Sequence, residues 1–438
     1  MKEIIFSRQA KRAIELIHHS NKHVFVTGKA GTGKSTLLEY VRNNATKKMV
    51  VLAPTGVAAI NVHGDTIHSF FTLKPGFEKA EAKNKRLDDT KRQKYTSLET
   101  LLIDEISMVR ADLLDAIDIF LRRVRRSSQP FGGVQMVFFG DLYQLPPVIT
   151  PKDRDVFLEE YASPYFFAAD VCKGKRDLFA SAFNMSFIEL KKIYRQDDDV
   201  FIDILNAVRE NTMTAEQFIA LNERYDPQFV PTKEKYMYLM TTNADAHRIN
   251  TAEMEKLQTT DVTYHAKLQG QVDPNLYPND LEVSVKVGAQ IMFIYNDPER
   301  RWVNGTIGVI TNIEGVYNEE QNTFESILTV RKNGGGLVEV APYTWDISKY
   351  VYTQGNFERE TIGSFRQIPL KLAWAITIHK SQGKTFDRVV IDLGRGSFAH
   401  GQTYVALSRC TSLEGVVLKK RIGRSSIIMD ERVKAFRG

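Results

Sequence analysis

The chain has 438 residues, 43% apolar and 26% charged, the balance of a globular protein long enough for two to four domains whose cores need no staples. Its two cysteines, Cys172 and Cys410, make neither a disulfide framework nor a zinc cluster and fit a reducing compartment. A net charge of +6 is compatible with a polyanionic partner without demanding one.

The first residues lack the apolar core of a secretory signal, and no apolar run is long enough to span a bilayer. The expected location is therefore cytoplasmic, or nuclear in a eukaryote. Residues 23–27 read as a short buried strand that runs into glycine, and 35–41 as a helix. Residues 49–53 read as a second strand stopped by Pro54, with further strands at 101–103 and 134–139. Strands alternating with helices predict an α/β domain with a mostly parallel sheet, whose ligand sits at the carboxyl ends of the strands.

Residues 77–95 are densely charged and read as a surface excursion. Val109, Leu113, Ile117, Phe120 and Val124 recur at helical spacing and form a core face. Arg122, Arg123, Arg125 and Arg126 close that helix. They read as a solvated end complementing the helix dipole, in preference to a DNA-binding patch. A second α/β pattern starts near Phe187, with strands at 187–190 and 236–240 around a helix at 200–208. From 265 to 364, short β-branched runs with Asn304-Gly305 and Asn333-Gly334 turns predict a small all-β insert. The α/β texture returns at 370–378 and 389–393. The expected domains are 1–175, carrying an insert at 72–97; 176–264 with 365–438; and the β insert at 265–364.

Gly28-Lys29-Ala30-Gly31-Thr32-Gly33-Lys34-Ser35 matches the phosphate loop G-x-x-x-x-G-K-[ST] in the strand-to-helix setting it requires. Backbone N–H groups from Gly28 to Thr36 would wrap the phosphates, Lys34 would reach the β- and γ-phosphates, and Ser35 would ligate Mg2+. The strand at 101–103 ends in Asp104-Glu105. This places Asp104 near the metal and Glu105 as general base for the attacking water. No N-K-x-D tetrapeptide is present, and Asp104 is not followed by glycine. Both points favour ATP over GTP.

Further strings follow in order: Ala53-Pro54-Thr55-Gly56-Val57-Ala58-Ala59; Gly64-Asp65-Thr66-Ile67-His68-Ser69-Phe70-Phe71; Phe139-Gly140-Asp141-Leu142-Tyr143-Gln144; Tyr194-Arg195-Gln196; Ile378-His379-Lys380-Ser381-Gln382-Gly383-Lys384-Thr385; and Tyr404-Val405-Ala406-Leu407-Ser408-Arg409. Over nearly its whole length the chain resembles superfamily 1 helicases of the PIF (petite integration frequency) type, relatives of RecD. The Phe131-Gly132-Gly133 region tips the likeness towards PIF.

The resemblance implies two RecA-like P-loop domains, with a small charged insert in the first and a small β-barrel insert in the second, sharing one ATP. It implies Gln9 as adenine reader, Gln144 as γ-phosphate sensor, Gly383 at the nucleotide, and Arg195 and Arg409 of the second domain at the γ-phosphate. Thr55, Gly56, Thr66, His68, His379 and Ser381 would hold a strand by its phosphates. Phe71 and Tyr143 could stack on bases, whereas Trp374, inside an apolar run, reads as core; His68 reads equally as a buried histidine. The charged insert would be a strand-separating wedge, and the β insert would close over the strand. The implied function is a monomeric, 5′-to-3′ ATP-dependent DNA helicase acting on single-stranded and forked duplex DNA with ATP and Mg2+. A remodelling ATPase and an RNA helicase share the same ATP site and remain open. Little beyond a motor core is visible, which suggests a bacterial or viral source.

Overall fold

A computed structural model of the chain describes residues 5–74, 76, 78–149, 154–173, 183–196, 198–231, 236–270, 272–318, 323–394 and 396–437. Phe77, the expected start of the charged excursion, and the expected boundary at 175/176 lie outside them. The chain forms two units: 1–195 with 348–362 and 431–438, and 196–347 with 363–430.

In the first unit, β1 (His23–Gly28), β2 (Met49–Ala53), β3 (Asp65–Thr66), β4 (Thr100–Ile103), β5 (Gln135–Phe139) and β6 (Met185–Leu190) form one sheet in the order β3-β2-β4-β5-β1-β6. Every pairing is parallel. Strands covered on both faces need apolar side chains throughout. β4 and β5 are accordingly buried at every position. Two flanking helices, α1 (Arg8–His19) and α2 (Lys34–Asn43), bury Ala13, Leu16, Leu37 and Val41 against Val24, Val26 and Val137.

β6 corrects the expected boundary. Its six residues pair in register with β1, His23 opposite Met185 through Gly28 opposite Leu190. The run at 187–190 therefore closes the first sheet instead of opening the second domain, and the first unit continues to Arg195.

The second unit holds a four-stranded parallel sheet in the order Ala375–Thr377, Met237–Met240, Val389–Asp392, Val416–Leu418. Its β module is an antiparallel five-stranded sheet in the order Leu337–Val340, Thr323–Lys332, Ile307–Asn318, Gln290–Phe293, Leu370–Leu372, around a core that includes Ile291, Phe293, Trp302, Leu328 and Val330. Val262–His265 pairs with Glu282–Val285, and Tyr343–Thr353, Asn356–Gln367 and Lys267–Gly270 form a third sheet. Among the described residues the β module comprises these three sheets, with no closed barrel among them. Residues 370–378 are likewise two strands in different sheets, parted at Ala373 and Trp374. Trp374 packs on the core of the β module. The tip of the 343–367 hairpin, residues 348–362, belongs to the first unit. No helix among the described residues is long and apolar enough to cross a membrane.

Candidate ATPase and strand-binding sites

The phosphate loop follows β1, which lies between β5 and the edge strand β6 of the first sheet. Gly33 caps α2 at φ +82°, a left-handed conformation that a side chain disfavours. The Lys34 ammonium donates to the carbonyls of Gly28 at 2.7 Å and Lys29 at 3.0 Å, and the Thr32 hydroxyl donates to Lys29. Ala30 and Thr32 are buried, Gly31 is half-buried, and Ser35 and Thr36 are exposed on the first turn of α2. Gln9, half-buried, lies at the start of α1.

Asp104 and Glu105 follow β4. Burial raises the proton affinity of Asp104 and the Glu105 charge raises it further, while Lys34 opposes both. A divalent cation would relieve that strain, and Ser35 and Asp104 both offer the hard oxygen donors that Mg2+ prefers. Glu105 holds φ +49°, a costly conformation for a residue with a Cβ. Gln144 follows β5, which lies between β4 and β1. It is buried, and its N–H donates to the Asp141 carbonyl.

The expected strand contacts lie one step further along the same carboxyl edge. β2 and β3 pair as Leu52 opposite Asp65 and Ala53 opposite Thr66, and each runs into a threonine and a short helix. These helices are α3 (Gly56–Asn61) and α4 (Ile67–Phe71). The Thr55 hydroxyl accepts the Ala58 N–H at 3.3 Å, and the Thr66 hydroxyl accepts the Ser69 N–H at 3.1 Å. Each threonine thus uses its oxygen as a helix cap and keeps its own proton to donate to an acceptor such as a phosphate. Thr55 is exposed, Thr66 is buried, and His68 is half-buried one turn on.

Three of the expected contacts are corrected by burial. Phe71 is fully buried, stacked on Tyr95 at 5.9 Å and edge-on to Phe120, so its ring packs the core and offers no face to a base. Ser381 is also fully buried, its hydroxyl donating to the Ile378 carbonyl at 2.7 Å, which leaves no proton for a phosphate. Tyr143 is 6% exposed, too little to stack.

In the second unit, His379 is half-buried, and burial holds its imidazole below the ordinary value, which favours the neutral form. Gly383 is exposed at φ +80°. Arg409 departs from the expected finger. It is 1% exposed, and its guanidinium donates to the carbonyls of Val405, Ser381 and Lys384 and to the Ser408 hydroxyl. It thus binds the 381–384 turn together. Arg195, expected on the second domain, is instead the last residue of the first unit.

A parallel P-loop sheet with a strand-end Asp-Glu pair and a threonine-lined edge narrows the protein to a nucleotide-driven motor, and comparison with known proteins decides its kind. The model of the family described as "PIF1-like helicase" matches residues 6–217. The chain is 33% identical to the ATP-dependent DNA helicase Pif1 of Bdellovibrio bacteriovorus, covering 99% of this chain and 92% of that protein. The chain belongs to the PIF1-like helicase family. It is 36% identical to Bacteroides Pif1 and superposes on that protein's ADP-AlF4 complex with a TM-score of 0.88, over 99% of this chain and 97% of that one. A structure of Bacteroides Pif1 bound to single-stranded DNA and a structure described as two coordinating Pif1 helicases at forked duplex DNA each give 0.68, with the same coverage. This PIF1-like helicase is thus an ATP-dependent DNA helicase, with two RecA-like units.

Three features of this PIF1-like helicase escaped sequence reasoning. Tyr194 is 55% exposed, its N–H donates to the Gly31 carbonyl at 2.8 Å, and its ring lies 3.8 Å from where a Cβ on Gly33 would sit. It stands over the phosphate loop with one aromatic face available; its place in the Tyr194-Arg195-Gln196 string was the signal. Gln196, the first residue of the second unit, donates from its side-chain amide to the Ser408 and Cys410 carbonyls of the same unit.

The third is the arginine cluster that ends α7 (Ala111–Arg125): Arg123 and Arg126 are exposed, as expected of a solvated end, whereas Arg122 and Arg125 turn back onto the protein. Arg122 pairs with the buried Asp118 at 2.7 Å. Arg125 donates to the carbonyls of Gly132, Tyr95, Thr96 and Leu98. Gly132 permits this approach, because a Cβ there would lie 2.7 Å from the Leu121 carbonyl oxygen.

Proposed function

We propose that this DNA helicase moves 5′ to 3′ along single-stranded DNA, driven by closure of its two units on ATP and reopening after hydrolysis. The observation that carries this reading is a shared edge. Nucleotide residues follow β1, β4 and β5, and the threonines follow the adjacent β2 and β3. Small shifts around the γ-phosphate would thus pass through packed strands to the groups that grip the strand.

In this mechanism the loop from Gly28 to Thr36 binds the phosphates, with Lys34 on the β- and γ-phosphates and Gln9 at the base. Ser35 and Asp104 would hold Mg2+, which supplies charge neutralisation at the phosphates when bound. Glu105 takes the proton of the attacking water, and Gln144 orients at the γ-phosphate. Tyr194 offers a stacking face for the base. Arg195 would stabilise charge developing on the γ-phosphate. Arg409 would do the same only after releasing the Ser381 and Lys384 carbonyls, and Gly383 lies in the turn those bonds hold. Thr55, Gly56, Thr66, His68 and His379 hold the strand by its phosphates, without reading sequence.

A single copy suffices for translocation in this scheme, while unwinding of a fork can recruit a second, in line with the solved structure described as two coordinating Pif1 helicases at forked duplex DNA. The decisive experiment compares duplexes bearing a 5′ or a 3′ single-stranded tail. Unwinding only from the 5′ tail is expected, and a requirement for a 3′ tail overturns the polarity. An RNA strand that stimulates ATP hydrolysis as strongly as DNA would overturn the choice of DNA.

A further inference from the structure

We propose that Asp65 is a positioning residue for strand engagement, through which the 348–362 hairpin tip and the charged insert set the turn that carries Thr66 and His68. The proposal rests on reading Thr66 and His68 as strand contacts.

Asp65 is a carboxylate at a place where chemistry would favour none. It is 5% exposed, on the short edge strand β3, directly before Thr66. Burying a carboxylate costs several kcal/mol unless its partners are close and well aligned. Here the pairing is incomplete. One oxygen accepts the Tyr350 N–H at 2.8 Å. The other lies 3.5 Å from the Arg359 guanidinium and accepts no hydrogen bond. Burial accordingly raises its proton affinity, against the pull of Tyr350, Arg359, Lys94 and Lys349. A residue serving packing alone would be better replaced by an apolar one of similar size.

What Asp65 does have is convergence of three elements. From the hairpin tip come Tyr350 and Arg359. Arg359 also donates to the His63 carbonyl at 2.8 Å and lies 5.3 Å from the Tyr350 ring centroid. The Tyr350 ring is buried edge-on to Phe70 of α4, and its hydroxyl accepts the Val51 N–H of β2. From the insert comes Lys94 of α6 (Asp89–Thr96), whose ammonium sits 4.1 Å from the Phe70 ring centroid. Burial depresses Lys94 to about 8, and the Asp65 charge opposes that shift. From the sheet comes the register itself: Thr66, one residue on, pairs with Ala53 and caps α4, which carries His68. A displacement of the hairpin tip or of Lys94 is therefore felt first by Asp65 and next by the Thr66 hydroxyl.

The test uses the full chain and measures ATP hydrolysis against the concentration of an oligothymidylate. Asp65→Asn keeps the acceptor for Tyr350 but removes the charge, and Arg359→Gln removes the partner from a partly exposed site. Each is expected to raise the DNA concentration for half-maximal stimulation about 5- to 10-fold, leaving the rate at saturating DNA unchanged. The double variant is expected to be no worse than either single one, because both act through one contact. Additive losses, or a loss of saturated rate equal to the loss of affinity, would overturn the proposal in favour of a purely structural carboxylate.

Thr66→Ala separates the premise from the proposal. If it leaves DNA affinity intact, the strand-contact reading fails and the proposal falls with it. If it weakens DNA binding while Asp65→Asn and Arg359→Gln do not, only the positioning role is refuted. Should Asp65→Asn prove unstable in thermal melts, Arg359→Gln alone decides.

Discussion

At the scale of single residues, the phosphate loop makes the firmest demand. The Lys34 ammonium lies along the loop and donates to the carbonyls of both Gly28 and Lys29. Lys34→Ala is expected to cut ATP hydrolysis by about 100-fold or more and to abolish unwinding. Binding of single-stranded DNA, measured by fluorescence anisotropy, should survive, because its contacts follow other strands.

Glu105→Gln should bind ATP normally and lose about 100- to 10,000-fold in turnover, the span of a missing general base. Single-turnover hydrolysis checks this. These residues were legible in the sequence because their chemistry is tied to fixed spacing. Arg409 was not, because its string says nothing about which carbonyls its guanidinium meets.

His23 adds a pH dependence. Burial lowers its pKa from an ordinary 6.5 to about 4, and its Nδ1 accepts the Met136 N–H at 3.0 Å. The unfolded chain therefore binds this proton more readily than the folded one. The stabilising contribution is complete above about pH 6.5 and is lost as pH falls towards 4, by at most about 3 kcal/mol. Melting temperature should fall across that window, and His23→Gln should flatten the fall.

At the scale of elements, the arginines that end α7 decide how the charged insert is held. Arg125 gathers carbonyls from Tyr95, Thr96 and Leu98, at the insert's return, and from Gly132. Arg125→Met keeps much of the aliphatic stem but strands these acceptors. It is expected to destabilise by about 1–3 kcal/mol in urea unfolding. Proteolysis within 78–96 should accelerate before the rest of the unit is touched.

Charge patterning was right for the exposed Arg123 and Arg126 and pointed the other way for Arg122 and Arg125, since a run of arginines at a helix end reads as solvated. The acceptors sit about 30 residues earlier in the chain, and no periodicity reveals them. The same blindness moved the domain boundary. The run 187–190 was recognised as a strand, but which sheet it joins is a matter of pairing, and pairing is not written in a strand's own residues. The short strand β3, only Asp65 and Thr66, carried no strand signal at all and was visible only as part of a family string.

At the scale of the whole molecule, salt dependence comes from the lysines and arginines that neutralise DNA phosphates and not from the neutral hydroxyl contacts. Affinity for single-stranded DNA should fall with a log–log slope of about −0.7 per phosphate neutralised. Substituting a neutral hydroxyl contact such as Thr55→Ala should weaken binding without changing that slope. An altered slope would mean that Thr55 shapes the placement of cations.

The α/β character, the phosphate loop and the inserted β module were all readable from residue order. Their partition into units was not. The chain passes from one unit to the other at 195/196, 347/348, 362/363 and 430/431. Two units joined by so many covalent bridges cannot be parted by one cut. A protease nick at any single bridge should leave two fragments that migrate together on a sizing column and separate only in denaturant. The same wiring makes the units poor candidates for expression apart, since any one continuous piece of chain leaves either unit missing a segment of its own.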